Sequence, residues 1–203
     1  MRIKRLIIGS SNPGKVNEWK FFLGRKFKLI SAYDAGVTDS PKEDGKTFLE
    51  NAIRKAKYYS KKTNDFVLSE DGGFEVDFLN GLPGLKSRRI LPGDKDSTDQ
   101  ELIDFILKKL KGVPKKLRGA RLVVYVVVSD PKGKIIFKDK SEIEGIISTK
   151  ASKRHEKGYP YRAILYLPQA GKFYSELTDE EHKKFAHRKN IAERLTKFLL
   201  EYN

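Results

Sequence analysis

Two adjacent acids in the first half of the chain have the residue types and spacing of an active-site edge. Residues 68–84 read LSEDGGFEVDFLNGLPG, so that an apolar run ends in Glu70 and Asp71 and two glycines follow. The pattern predicts a buried strand over residues 66–69 that breaks into a turn at the acids, from which carboxylates reach a ligand. Side chains alternate along a strand, so the two acids point different ways. One then suits a metal ion while the other polarises a water, as in metal-assisted phosphate hydrolysis.

A glycine-rich segment near the N-terminus predicts a second part of such a site. Residues 9–15 read GSSNPGK and lie between a predicted strand, residues 2–8, and a predicted helix, residues 15–23. The backbone N–H groups, the helix N-terminus and the Lys15 ammonium suit a phosphate. The spacing nearly matches a Walker A loop, but Val16 stands where that loop has the Ser or Thr that holds magnesium. The alternative interpretation is an ordinary turn that uses glycine and proline.

Further carboxylates extend the set of candidate metal ligands. Magnesium shared with substrate phosphates needs only one or two protein carboxylates. Glu43 therefore joins Glu70 and Asp71 as a candidate, with Glu50 as a fourth. Thr47 and Glu50 also fit a capping box, which explains this glutamate equally well.

His187 and Arg188 are a second pair with chemical potential, on the predicted C-terminal helix. Arginine offers fixed donors to an anion or to a keto oxygen. His182 lies five residues before His187, and on a helix that spacing places the two rings on different faces. They are not an i, i+4 metal pair, and by itself His182 is interpreted as a surface residue.

The composition of the chain favours some classes of function and excludes others. The 203 residues contain 42 Lys and Arg against 27 Asp and Glu, a net charge of +15, which favours nucleotides, nucleic acid or other anions as partners. Without cysteine, disulfides, thiolate zinc sites and cysteine nucleophiles are excluded. The apolar run after Arg5 is too short for a signal peptide, and no later run is long enough to span a membrane. We expect a cytoplasmic protein.

The elements predicted around these residues give a mixed α/β fold with a long central sheet. Capping boxes at residues 47–50, 97–100 and 178–181 predict three helix starts. The β-branched segment RLVVYVVV predicts the strand at the centre of the sheet. The other strands are predicted at residues 27–31, 135–137, 143–147 and within 159–168, and residues 130–133 predict a hairpin turn.

Four segments, in order along the chain, resemble the Ham1 or inosine triphosphate pyrophosphatase family. Residues 10–15, SSNPGK, resemble its T-G-N-x-x-K loop, and residues 43–52, EDGKTFLENA, its E-T-G-x-T-F-x-E-N-A segment. Residues 70–73 and 81–84 resemble D-D-S-G and G-x-P-G, and residues 186–188, AHR, resemble S-H-R. The resemblance covers the whole chain.

The resemblance implies an activity and an architecture. Members cleave non-standard purine nucleoside triphosphates such as ITP, XTP and dITP to the monophosphate and pyrophosphate, require magnesium and are usually homodimers. Their fold is an elongated mixed central sheet flanked by helices, with two lobes around a cleft. We therefore expect residues 1–203 to form a single domain of two lobes, with no membrane partner and with nucleic acid not favoured as one.

The resemblance also implies roles for individual residues. Glu43 and Glu70 would hold the metal, and Asp71 would be the base toward the attacking water, with Lys15 assisting catalysis. His187 and Arg188 would meet the 6-keto edge of the base. The remaining substrate-binding positions, by match to the family motifs, are Ser10, Asn12, Lys15, Lys55, Gly72, Tyr159, Tyr161 and His182.

The chain departs from the family mostly in the base-reading motifs. Residues 158–163 read GYPYRA where the family has G-F-G-Y-D-P, so Pro160 replaces a glycine and Arg162 an aspartate. His182 replaces a lysine, and Gly72 replaces a serine beside the acids. The alternative hypotheses are a member with changed base specificity, or a protein that binds nucleotide or nucleic acid without turnover.

Overall fold

The structure is a computed structural model that describes residues 5–91 and 97–202. Helices and strands alternate in the first half, and antiparallel strands dominate the second. The strands are β1 Arg5–Ile8, β2 Lys28–Ser31, β3 Val67–Val76, β4 Gly119–Ser129, β5 Ile135–Ile147, β6 Leu165–Leu167 and β7 Lys172–Phe173. The α-helices are α1 Pro13–Leu23, α2 Phe48–Thr63, α3 Asp99–Lys109, α4 Asp179–Phe185 and α5 His187–Glu201.

The described strands form one mixed seven-stranded sheet, which confirms the predicted α/β class. Its order is β2-β1-β3-β4-β5-β6-β7. β1 pairs in parallel with β2 and β3, whereas β6 pairs antiparallel with β5 and β7. The β-branched strand β4 lies at the centre, as predicted. The predicted hairpin turn is also present, with the Gly133 N–H donating to the Asp130 carbonyl at 3.0 Å.

The chain divides into two compact units. The first comprises the described residues up to Asp71, Val124–Ser141 and the described residues from His187 onward; the second comprises Gly72–Val123 and Glu142–Ala186. The arrangement of two lobes around a cleft stays a prediction.

In the first unit, helices cover both faces of the sheet. Side chains alternate along a strand, so neighbouring residues of β1 and β3 enter different cores. One core contains Leu6, Ile8 and Leu68 together with side chains of α1 and α5. The other contains Ile7 and Val67, which pack against Tyr59 of α2. This alternation decides which helices each residue of β3 can reach.

The second unit has its own packing. Phe74 stacks on Tyr161 with ring centroids 4.6 Å apart. Arg118, which is buried, donates hydrogen bonds at 2.7 Å to the carbonyl oxygens of Leu110, Ile147 and Ser148. These contacts join the end of α3 to β5.

Three sequence predictions were wrong in their boundaries. The strand expected to stop at residue 69 runs through both acids as Val67–Val76, because β3 lies between β1 and β4 in the sheet and their pairing outweighs the low strand propensity of its acids and glycines. The two strands expected at residues 135–147 are one strand, β5. The C-terminal helix is interrupted at Ala186, which has extended φ and ψ of −61° and 135°, so His182 and His187 lie on different helices.

Of the three predicted capping boxes, one is confirmed, one begins one residue later than predicted and one is incomplete. The box at the start of α4, Thr178 with Glu181, is confirmed. The box at α3 uses Thr98 and Glu101, one residue later than predicted. At α2, Thr47 caps the helix, but the Glu50 carboxylate accepts from the Lys46 N–H at 2.7 Å instead of completing the box.

Among the described residues, no helix is both long and apolar enough to cross a membrane.

Candidate active site

The loop between β1 and α1 presents the start of a helix, as the sequence predicts. Asn12 is the N-cap of α1, and its Oδ1 accepts hydrogen bonds from the N–H groups of Gly14 at 2.8 Å and Lys15 at 3.4 Å. Ser10 Oγ accepts from the Asn12 N–H at 3.1 Å. These bonds fix the direction of the loop and of the Lys15 side chain that follows it. The binding of phosphate here stays a prediction.

Glu70 is buried among donors from α1 and α5. Arg188 donates from Nε to Oε2 at 2.8 Å and from Nη2 to Oε1 at 2.6 Å, and Trp19 Nε1 donates to Oε2 at 2.8 Å. Lys15 Nζ lies 3.5 Å from Oε1. Burial raises the pKa of Glu70, but the charges of Arg188 and Lys15 and the hydrogen bonds of Arg188 and Trp19 outweigh it and hold the pKa well below its ordinary value of 4.5. Glu70 is therefore ionised at neutral pH.

Asp71 lies against α2, where it shares a lysine with Glu43. Lys55 Nζ is 3.2 Å from Asp71 Oδ1 and 3.2 Å from Glu43 Oε1. Asn51 Nδ2 donates to Asp71 Oδ2 at 3.0 Å, while its Oδ1 accepts from the Gly45 N–H at 2.8 Å. Lys55 and Asp71 are buried and the Glu43 side chain is 48% exposed, so the cluster meets solvent on the side of Glu43.

The two acids therefore point to opposite faces of β3, as predicted from strand alternation. Glu70 lies on the same face of β3 as Leu68 and reaches α1 and α5. Asp71 lies on the same face as Val67 and reaches α2. Each acid has its own lysine, Lys15 for Glu70 and Lys55 for Asp71. One strand thus offers two differently held carboxylates at adjacent positions.

His187 is the first residue of α5 and is buried. Its Nε2 lies 3.0 Å from Arg188 Nη1. A guanidinium has no acceptor, so Nε2 is the acceptor in this contact.

A divalent cation fits these carboxylates only together with substrate oxygens. In residues 5–91 and 97–202, no three His, Cys, Asp or Glu side chains cluster so as to hold a metal ion. Magnesium takes oxygen ligands and commonly uses one or two carboxylates with phosphates and waters. Glu43 and Asp71, which share Lys55, supply oxygens of this kind on one face of β3, and Glu70 supplies them on the other face. The residues therefore fit magnesium shared with a phosphate, and do not fit a metal held by the protein alone.

The similarity to known proteins extends over the whole chain. A sequence model of the Ham1 family matches residues 6–198. The chain belongs to the Ham1 family. A dITP/XTP pyrophosphatase of Bacillus subtilis is 37% identical over 198 residues, which are 97% of this chain and 98% of the relative. A protein of the same name from Thermus thermophilus is 35% identical over 189 residues, 93% of this chain and 88% of the relative.

Solved structures of Ham1 proteins share the fold. The HAM1 protein of Coxiella burnetii matches with a TM-score of 0.83 at 27% identity, over 97% of this chain and 98% of that one. The Ham1 protein of Staphylococcus aureus matches with a TM-score of 0.78 at 32% identity and the same coverage.

Most of the predicted site residues of this Ham1 family member belong to the first unit. The first unit contains Ser10, Asn12, Lys15, Glu43, Lys55, Glu70, Asp71, His187 and Arg188. Gly72, which follows Asp71 on β3, is the first residue of the second unit, and Tyr159, Tyr161 and His182 also belong there. The roles predicted for all of these residues stay predictions.

In the second unit, the three ring residues have protein contacts of their own. Tyr161 is 5% exposed and donates its hydroxyl to the Ser87 carbonyl at 2.6 Å, as a core residue does. The Arg162 guanidinium lies 3.8 Å from the Tyr159 ring centroid and 4.8 Å from that of Tyr174. His182 packs edge-on to Tyr174 at 5.3 Å. Arg162, a departure from the family motif, thus stacks between two tyrosines.

Three residues of the site were assigned no role from the sequence: Glu18, Trp19 and Asn51. Arg188 Nη1 lies 3.1 Å from Glu18 Oε2, which adds Glu18 to the group around Glu70. Asn51 had a recognisable signal, because it stands with Lys55 on the apolar stripe of α2 where a polar side chain needs a partner. Trp19 lies on the buried face of α1, and nothing in the sequence identifies Glu70 as the partner of its N–H.

Proposed function

We propose that this protein is a nucleoside triphosphate pyrophosphohydrolase that converts non-standard purine nucleotides, ITP, XTP and dITP, to the monophosphate and pyrophosphate. The names of its relatives support the substrate class, since proteins 37% and 35% identical over nearly the whole chain are dITP/XTP pyrophosphatases. The chain has a lysine beside a carboxylate on each face of β3, and lysine ammonium groups bind phosphate oxygens.

The observation that carries the proposal is the position of Lys55 between two carboxylates. Its Nζ lies 3.2 Å from both Asp71 Oδ1 and Glu43 Oε1, next to the half-exposed side of the cluster. A cation between two anions orients both of them and remains available to phosphate oxygens. The arrangement suits the binding of a polyanion beside a general base.

In the proposed reaction, Asp71 accepts a proton from a water molecule while the oxygen of that water attacks the α-phosphorus of the nucleotide. A new P–O bond forms, the bond from the α-phosphorus to the α–β bridging oxygen breaks, and pyrophosphate leaves with that oxygen. Asn51 and Lys55 hold the Asp71 carboxylate in a single orientation during this step. Lys15 and Lys55 offset charge on the phosphates, and Ser10 and Asn12 line the loop that faces them. His187 and Arg188 bind the 6-keto edge of the base.

The cofactor proposed is Mg²⁺, held by Glu43 and Glu70 together with substrate phosphate oxygens. When bound, it supplies positive charge to the phosphates. We also propose a homodimer that acts in the cytoplasm, where its nucleotide substrates are made. The magnesium and the homodimer are implied by the family resemblance, and the cytoplasm is the expectation from the sequence.

A substrate panel tests the function directly. Purified protein with magnesium is given ITP, XTP, dITP, ATP and GTP, and pyrophosphate and orthophosphate are measured separately. The proposal expects pyrophosphate from the first three in preference to ATP, and its loss when a chelator removes the metal. Release of orthophosphate alone, or no release from any triphosphate, would reject it.

A further inference from the structure

The segment before α2 has no buried residues to hold it in place. Val37 at its start and Phe48 at its end are buried, whereas every residue between them is exposed or half-buried. Residues 38–46, called the strap below, form no helix or strand. The strap carries Glu43, whose side chain is 48% exposed. Polar contacts must therefore fix the position of this carboxylate.

The strap runs antiparallel to α2 and contacts it at successive turns. From the start of the strap to its end, the partners on α2 step back from the C-terminal end of the helix to its N-terminal end. Asp39 contacts Tyr58 and Lys62, Glu43 contacts Lys55, Asp44 contacts Arg54, the Gly45 N–H donates to Asn51 Oδ1, and the Lys46 N–H donates to the Glu50 carboxylate. The whole strap is thus aligned on one helix.

The strap has little slack between its two ends. From Asp39 to Lys46 there are seven residue steps, which span about 23–25 Å when fully extended. Their partners Lys62 and Glu50 are twelve steps apart on α2, a rise of about 18 Å. A chain this close to full extension passes a shift at one end to the residues in between, so the position of Glu43 depends on both ends.

Asp39 makes the contacts at the end of the strap that is farther from the start of α2. Its Oδ2 accepts hydrogen bonds from Lys62 Nζ at 2.6 Å and from the Tyr58 hydroxyl. Lys62 Nζ also lies 5.0 Å from the centroid of the Tyr58 ring, so the three side chains restrain one another. An exposed ion pair alone contributes little to stability, but here one charged acceptor takes two donors from adjacent turns of a helix.

We propose that Asp39 is a positioning residue of the active site. Through Tyr58 and Lys62 it holds the strap along α2, and the strap holds Glu43 at 3.2 Å from Lys55 Nζ. The proposal rests on the proposed function in assigning Glu43 to the binding of the metal. Loss of the Asp39 contacts releases the strap from α2, so that fewer molecules have Glu43 in its place beside Lys55.

The test compares Asp39→Ala with Asp34→Ala. Asp34 is a matched control because it is an exposed aspartate in the turn that precedes the strap. The first measurement, without nucleotide or metal, is the rate at which trypsin cleaves after Lys42 and Lys46, the two lysines of the strap, followed by mass spectrometry. Cleavage after Lys132, in the exposed turn between β4 and β5, is the internal reference. The second measurement is the magnesium concentration for half-maximal pyrophosphate release from ITP, with kcat at saturating magnesium.

For Asp39→Ala we expect cleavage in the strap to become about three- to tenfold faster, with the reference site unchanged, because the strap then opens without breaking the two contacts of Asp39. The magnesium requirement should rise by a similar factor. The kcat at saturating magnesium should stay within about twofold, since molecules with the strap on α2 then predominate. Tyr58→Phe should have a smaller effect of about twofold, and no further effect when it is added to Asp39→Ala.

Two results would overturn the proposal. In one, trypsin cleaves the strap of Asp39→Ala at the rate found for Asp34→Ala. In the other, the strap is cleaved faster but the magnesium requirement equals that of Asp34→Ala, which would mean that the strap does not position Glu43. The proteolysis comparison needs no turnover, so it decides whether Asp39 holds the strap even where the wild-type protein hydrolyses no triphosphate and the proposed function has failed.

Discussion

Asn51 uses both ends of its amide on the buried stripe of α2. Its Nδ2 donates to Asp71 Oδ2 at 3.0 Å, and its Oδ1 accepts from the Gly45 N–H at 2.8 Å. The residue therefore ties the segment before α2 to the acid on β3. A buried amide bonded in this way restrains the orientation of the Asp71 carboxylate, which the role proposed for Asp71 as a general base requires.

Replacing this amide tests its role at the scale of one residue. Asn51→Ala leaves the Gly45 N–H and one Asp71 oxygen without their partner, so the free energy of unfolding should fall by about 1–3 kcal/mol. Urea denaturation measures the difference. Asn190→Ala, on an exposed position of α5, is the control and should change stability by no more than about 0.5 kcal/mol. Equal urea-denaturation midpoints for the two variants would show that the hydrogen bonds of Asn51 do not contribute to the stability of the fold.

At the scale of elements, the loop after β1 depends on its close approach to β3. A Cβ at Gly9 would lie 2.7 Å from Tyr59 Cδ2 and 2.9 Å from Val67 Cγ1, and would also collide with Ser69 Oγ. The Gly9 carbonyl accepts a hydrogen bond from Ser69 Oγ at 3.2 Å. Glycine at this position therefore allows the loop that leads to Lys15 to pack directly against β3, the strand that carries both acids.

Gly9→Ala should destabilise the protein by about 1–3 kcal/mol, because the crowded side chains must shift. Thermal or urea unfolding checks the value. Adding Ser69→Ala removes one of the three colliding groups, so the double variant should recover part of the loss relative to Ser69→Ala alone. A stability of Gly9→Ala equal to that of wild type would mean that the loop does not need this approach.

In the second unit, Asp99 joins the start of α3 to the residues before β6. Its Oδ2 accepts from the Gly158 N–H at 2.6 Å, its Oδ1 lies 2.5 Å from Arg88 Nη1, and His155 Nε2 is 3.5 Å away. Burial raises the pKa of Asp99, but the hydrogen bonds of Arg88, Gly158 and His155 and the Arg88 charge outweigh it, and the pKa lies below its ordinary value of 3.8.

A lowered pKa means that Asp99 stabilises the folded state above its unfolded pKa and that this contribution is lost as the pH falls through the folded value. Asp99→Asn should therefore cost about 1–3 kcal/mol at pH 7, and the difference from wild type should shrink below about pH 4. Urea unfolding at pH 7 and pH 3 measures both. A difference that is independent of pH would contradict the charge contribution.

The sequence predicted some elements well and others poorly, for identifiable reasons. The central strand β4 has a nearly continuous β-branched run and α2 has a strong helical periodicity, and the structure has both elements. β3 was cut short because Glu70, Asp71, Gly72 and Gly73 have low strand propensity, which the neighbouring strands override. The break at Ala186 followed no proline or glycine, so no local signal marked it.

At the scale of the whole molecule, the order of the predicted elements gives the α/β class and the mixed sheet. Motifs spread from residue 10 to residue 188 identify the Ham1 family. The motifs locate the acids and lysines. They do not give all the partners of Glu70, because Trp19 and Arg188 come from distant parts of the chain and meet Glu70 only through tertiary packing. Long-range pairs of this kind have no local sequence signal.

The net charge of +15 also acts at this scale. A strongly positive molecule attracts a polyanionic nucleotide over distances of about a Debye length. Charge of this kind raises the rate of encounter with any triphosphate and does not select the base. Charge therefore does not select among ITP, XTP and ATP, and the donors proposed for that selection are His187 and Arg188.

The measurement that tests the central claim most directly is pyrophosphate release from ITP, with magnesium, by Asp71→Asn. If Asp71 accepts the proton of the attacking water, kcat should fall by about 10²–10⁴-fold. The control, Asp139→Asn, removes a carboxylate that pairs with Arg194 in the same unit and should keep full turnover. Turnover by Asp71→Asn at the rate of Asp139→Asn would contradict the assignment of Asp71 as the base.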